Sequence, residues 1–173
     1  NRLLGGKRMT PLLAAVVVAM LVTKILEWSL GKMKKIPDWE ISFDAYLNRN
    51  MHKPFEWGKW DCVMFMCGFI KAMTGKELRP NNWTWSTEEE AMQCILKYGK
   101  GKGLSEGIAN AVKKQTGIKE IDSLQITKGD FGVYKEESEL ACIFDNYSAL
   151  GVNDDGLVVK TDVEIVKAWR IDG

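Results

Sequence analysis

"PFEWGKWDCVMFMCGFIKAMTG", residues 54–75, changes character at its middle. The first half carries turn formers and aromatics, with Gly58 between Trp57 and Trp60. The second half is an apolar run that stops at Thr74-Gly75. Asp61 stands at the joint, where it suits the cap of a helix over about Cys62 to Met73, and Gly75 suits the residue just past its end. Cys62 then falls in the first turn, where backbone N–H groups and the helix dipole stabilise a thiolate. The same residue continues an apolar stripe through Met66, Phe69, Ile70 and Met73, which recur at helical spacing. The stretch therefore offers two readings of Cys62: a nucleophile at a helix start, or a small apolar residue on a core face.

Outward from this helix the pattern stays legible. "WEISFDAYLNRN", residues 39–50, predicts a preceding helix with Trp39, Phe43, Tyr46 and Leu47 on one side. "NNWTWSTEEEAMQCILKYG", residues 81–99, holds another, opened by a capping box of Ser86 with Glu89 or Thr87 with Glu90 and closed by Gly99. "LSEGIANAVKKQTG", residues 104–117, predicts a short helix ending at Gly117. After Lys128-Gly129-Asp130 come short runs: "FGVY", "LACIF", "SALGV", "GLVVK" and "VEIVKAWRI". These read as strands, with turns at Asp145-Asn146 and Asp154-Asp155-Gly156. Helices first and strands second predict an α+β domain with an antiparallel sheet.

The chain has 173 residues, 46% hydrophobic and 27% charged, which is one domain's worth of globular composition. A net charge of +1 gives no nucleic-acid signal, and there is no Gly-rich phosphate loop. Cys62, Cys67, Cys94 and Cys142 form no C-x-x-C pair, and His52 is the one histidine, so no zinc site and no cofactor is implied. The cysteines read as thiols, in keeping with a reducing compartment.

The leading segment differs. "TPLLAAVVVAMLVTKILEWSLGKMKK", residues 10–35, is apolar up to Val22 and then meets Lys24 and Glu27. A secretory signal would need an A-x-A-like cleavage site, which does not follow. A membrane span would need about 20 apolar residues, reached only by including that Lys and Glu. A helix buried among other protein chains is the preferred reading. Residues 1–35 are thus expected to form a separate apolar helix for assembly or membrane anchoring, 36–38 a linker, and 39–173 the globular domain.

The run Trp57–Cys62 with its apolar helix resembles the nucleophile helix of NlpC-like papain-fold cysteine peptidases. "KGDFGVY", residues 128–134, is similar to the "PGD" that leads into that superfamily's first sheet strand. A helix ahead of "PF-WG--DC", a "TG" after the next helix and a closing "AWR" strand look like a branch found with phage tail-tip genes. The resemblance covers about Trp39 to the end. It implies Cys62 as nucleophile, Asp61 beside it, and a pocket around Trp57, Gly58, Trp60 and Glu139. It also implies a histidine that opens the strand after "PGD", to take the thiol proton. Here Leu140 stands at that place, with Glu139 one residue earlier, and His52 lies upstream in a surface-like run. Leu140 cannot accept a proton, so Cys62 reads as vestigial.

The resemblance therefore implies a catalytically degenerate NlpC-like domain, a structural component of a long-tailed bacteriophage tail tip. Its partners would be other tail-tip proteins, held through the N-terminal helix, with the host inner membrane and cell-wall peptide as further candidates. One rival is an active peptidase or amidase cutting peptidoglycan peptides or tail proteins. Another is a membrane-anchored prophage or bacterial protein with a papain-like head. Trp57 is expected to pack, whereas Trp83 and Trp85 stay open between packing and the binding of sugars or a protein.

Overall fold

The computed structural model describes residues 10, 12, 16–20 and 31–173. The chain divides into two compact units, residues 1–32 and Met33–Gly173. In the first, residues 12 and 16–20 are helical, and Leu12, Val16, Val17, Val18 and Met20 are exposed. The remainder of the expected leading helix, with Lys24 and Glu27, lies outside the described residues. Among the described residues no helix is long and apolar enough to cross a membrane.

The second unit is α+β. Four helices, α1 (Trp39–Asn50), α2 (Cys62–Thr74), α3 (Glu88–Tyr98) and α4 (Leu104–Val112), precede six strands. These are β1 (Ile118–Ile121), β2 (Phe131–Lys135), β3 (Glu139–Asp145), β4 (Ser148–Asn153), β5 (Gly156–Lys160) and β6 (Glu164–Ile171). They form one antiparallel sheet in the order β1-β6-β2-β3-β4-β5.

Local signals set the helix ends. Asp61 caps α2 by accepting from the Met64 N–H at 2.9 Å, and Gly75 leaves it with φ of 71°. Thr87 caps α3, while the Glu90 carboxylate reaches back to the backbone N–H and hydroxyl of Ser86. Helix α4 stops at Val112, short of Gly117. Gly117 instead turns the chain, with φ of 86°, into β1.

α2 is the hub. Met66, Phe69, Ile70 and Met73 are fully buried, as the stripe predicts, but Val63, Met64, Phe65 and Cys67 are buried too. The helix is enclosed nearly all round, and Cys67 belongs to the core. α1 covers it through Phe43, whose ring meets Phe69 edge-on at 4.7 Å, and through Tyr46, whose hydroxyl donates to the Phe65 carbonyl. A Cβ at Gly68 would lie 2.5 Å from that Tyr46 oxygen, so only glycine admits the contact. Trp83 and Trp85 are buried in the same core.

The far face of the sheet carries a smaller cluster of Ile126, Tyr134, Cys142, Phe144, Ala149 and Ala168. The turn before β2 is locked by the fully buried Asp130, which accepts from both Nε and a terminal nitrogen of Arg170 at 2.9 and 2.7 Å and from the Thr127 N–H. This pair joins the Asp of "KGD" to the Arg of "AWR".

The body begins earlier than the expected linker at 36–38. Met33 is buried, and its N–H donates to the Thr116 carbonyl. Lys35 N–H donates to Asp172 and Ile36 N–H to Met73. Backbone hydrogen bonds thus tie residues 33–36 into the second unit, so that segment is neither leading helix nor linker.

Candidate functional site

The site grows from the Asp61–Cys62 joint. Asp61 is 1% exposed and its carboxylate takes three donors. Oδ1 accepts from Met64 N–H, while Oδ2 accepts from Gly58 N–H at 2.8 Å and Trp85 Nε1 at 2.7 Å. The loop before the helix, the helix start and the loop before α3 are pinned to one side chain. Gly58 adopts φ of +72°, and a Cβ there would fall 1.8 Å from the Trp85 carbonyl oxygen. Asp61 is therefore a structural clamp, with its lone pairs turned to these donors.

Cys62 is the first residue of α2 and is only partly buried, less so than its stripe predicts. Its thiol faces β3. Phe144 exchanges hydrogen bonds with Gly129 and Asp130 on the β2 side. By the alternation of an antiparallel ladder, Cys142 and Leu140 also turn their backbone groups to β2, and Ala141 and Ile143 turn theirs to β4. Yet β3 pairs with β4 only over Ile143–Leu150, Phe144–Ala149 and Asp145–Ser148. Beyond these the two strands part, and the freed Ala141 N–H faces the Cys62 sulfur.

A cleft opens over this parting. One arm, about 680 Å³, lies between Phe55, Trp57 and Cys62 on one side and Leu140, Val152 and Asn153 on the other. A second arm, about 340 Å³ and more apolar, runs along Met92, Ile95, Leu96 and Leu104. Trp57, Cys62, Glu88, Ser138 and Leu140 line both arms.

Burial pushes the Cys62 thiol up to about 12, and the neighbouring Asp61 charge adds to the rise. The amides of Ala141, Val63 and Cys62 favour the thiolate but do not offset this. Cys67 and Cys142 are likewise held above the ordinary thiol range by burial. Cys94 is partly exposed on α3, its thiol against the Asn82 carbonyl.

The two residues expected around the histidine's place are engaged elsewhere. Leu140 lines the cleft edge and packs with the far-face cluster. Glu139 lies over the start of α4, where its carboxylate accepts from the Ser105 N–H at 2.8 Å and hydroxyl at 3.0 Å. It completes the cap that Gly103 cannot provide. His52 is exposed in the turn after α1 and does not line the cleft. Trp57 is half-buried and meets Phe55 edge-on at 4.9 Å, forming a wall of the cleft. Trp60 is buried, stacked under Lys53 and against Phe65, so it belongs to the support and not to the pocket surface. Of the expected site residues, Cys62, Trp57, Leu140 and Glu139 meet at the cleft, and Asp61, Gly58 and Trp60 hold it from behind. The Ala141 amide and the Trp85 indole carry no local sequence signal, because each acts through a contact between distant segments.

No curated protein matches the chain. One family model, described as Domain of unknown function (DUF6950), matches residues 34–171. The match starts one residue into the second compact unit and covers all four of its helices and all six strands. The chain belongs to this DUF6950 family.

Proposed function

We propose that the second unit is an NlpC-like papain-type domain that keeps its cleft without hydrolytic chemistry, and that it serves as a structural component of a long-tailed bacteriophage tail tip. The observation that carries this reading is the surroundings of Cys62. A cysteine at a helix start, open to a cleft, faces a strand that presents Leu140, an alanine amide and a carboxylate already used as a helix cap. A thiol protonated near neutral pH, with no base to take its proton, is a poor nucleophile. The exposed Leu12, Val16, Val17, Val18 and Met20 support a leading helix covered by other tail-tip chains.

The test has two arms. The full chain, incubated with purified peptidoglycan, is expected to release no soluble peptide. A phage carrying Cys62→Ala is expected to assemble tails and infect like its parent. Peptide release that disappears in Cys62→Ala would establish the rival reading, a cysteine peptidase or amidase. Normal tails lacking this chain would sink the tail-tip assignment.

A further inference from the structure

α3 is a wall between two concave surfaces of opposite charge. At roughly 100° per residue, Glu88, Ala91, Met92 and Ile95 fall on one side of the helix. Glu90, Gln93, Cys94 and Lys97 fall on the other, about half a turn round. The first set lines the cleft over Cys62. The second lines a cavity of about 760 Å³ that also takes in Lys100, Lys113 and Lys114.

The cleft is acidic, with Glu88, Glu136, Glu137, Asp154 and Asp155 around it. Among the described residues only Glu136 of these has an ion-pair partner, Lys160 at 2.7 Å. The cavity is basic. Its four lysines meet one carboxylate, Glu90, which is held by Ser86. None of the four is in an ion pair among the described residues. Lys114 instead donates to the Tyr98 hydroxyl at 2.7 Å.

We propose that these surfaces are the two halves of a head-to-tail contact, in which the basic cavity of one copy docks on the acidic cleft of the next. A small anion is the poorer occupant, because α3 and α4 both end at the cavity and their terminal carbonyls disfavour negative charge there. The lysine heads are better used reaching outward to carboxylates on another surface, with their stems on apolar ground. The cleft offers that ground in Met92 and Leu96, which are 53% and 41% exposed. The surfaces lie on opposite sides of α3, so one pair of copies cannot satisfy both at once. The contact is therefore heterologous and extends into a ring or a filament. It does not depend on the tail-tip reading.

The experiment is sedimentation of the full chain and of two charge-reversed variants. Lys100→Glu with Lys113→Glu makes both surfaces acidic; Glu137→Lys with Asp154→Lys and Asp155→Lys makes both basic. Wild type is expected to self-associate, more than about tenfold more weakly in 0.5 M than in 0.05 M salt. Each variant alone is expected to be monomeric with an unchanged melting temperature, and an equimolar mixture is expected to associate again. A second set, Lys97→Glu with Lys100→Glu and Glu88→Lys with Glu137→Lys and Asp155→Lys, serves if either variant misfolds. A wild-type chain monomeric at low salt, folded variants that associate like wild type, or a mixture that stays monomeric would overturn the proposal.

Discussion

The indole nitrogen of Trp85 donates to the buried carboxylate of Asp61 at 2.7 Å, across 24 positions of sequence. This bond joins the residue before Cys62 to the loop that launches α3, so the two walls of the cleft share one anchor. Trp85→Phe keeps an aromatic ring but removes the donor and part of the buried indole, leaving a carboxylate oxygen with the Gly58 N–H alone. The expected cost is about 1–3 kcal/mol in urea unfolding. Gly58→Ala is expected to cost at least about 2 kcal/mol, from strained backbone and the approach to the Trp85 carbonyl. A variant at either position as stable as wild type would remove the clamp.

Cys62 is expected to alkylate slowly. With the thiol near 12, about one part in ten thousand is thiolate at pH 8, and peptide-mapped iodoacetamide labelling should rise about tenfold per pH unit up to pH 11. Asp61→Asn should speed labelling, because the Asp61 charge raises the thiol. A plateau reached by pH 7 would mean an activated thiolate. The linked stability follows in sign. The folded value lies above the ordinary 9.0, so the unfolded chain loses the proton first. Stability is full below about pH 9 and falls as pH rises toward 12. Cys62→Ala should make that alkaline fall shallower.

The Asp130–Arg170 pair is the second anchor. Arg170→Ala strands a carboxylate that is fully buried, and about 3–5 kcal/mol is expected to be lost in denaturant unfolding. A loss below 1 kcal/mol would show that Thr127 and its neighbours suffice.

The boundary at Met33 also has a measurable consequence. A chain beginning at Lys32 is expected to fold, whereas one beginning at Trp39 loses buried Met33 and the Lys35 ammonium 4.0 Å over the Trp39 ring. The difference should be about 2–4 kcal/mol in thermal or urea unfolding. Equal stability would place residues 33–36 outside the fold.

Helices α1, α2 and α3 and five strands were legible because their signals are local: caps at Asp61 and Thr87, a glycine exit at Gly75, and alternating apolar runs. β1 was not, since "IKEI" puts two charges at its centre, and it pairs only with β6 at the sheet edge. Met33 was hidden among lysines. Gly117 read as a helix end but serves a turn, because α4 had already stopped at Val112. At the site, the position of Cys62 and the lack of a histidine could be read directly. The use of Glu139 could not, because its partner Ser105 lies 34 positions away. The extent of α2's burial was also illegible, since it depends on what packs on every side of the helix.

The parting of β3 and β4 has a mechanical side. β4 and β5 are joined to the rest of the sheet through three residue pairs next to the Asp145–Ser148 turn. Val152 and Asn153 sit toward the far end of this two-stranded leaf. The leaf is not free to swing, because Leu150 and Val152 are buried in the main core. The gap beside Cys62 is therefore braced from beneath by side chains where backbone pairing is missing, and a guest seated there would meet a rim stiffened by packing and not by the ladder.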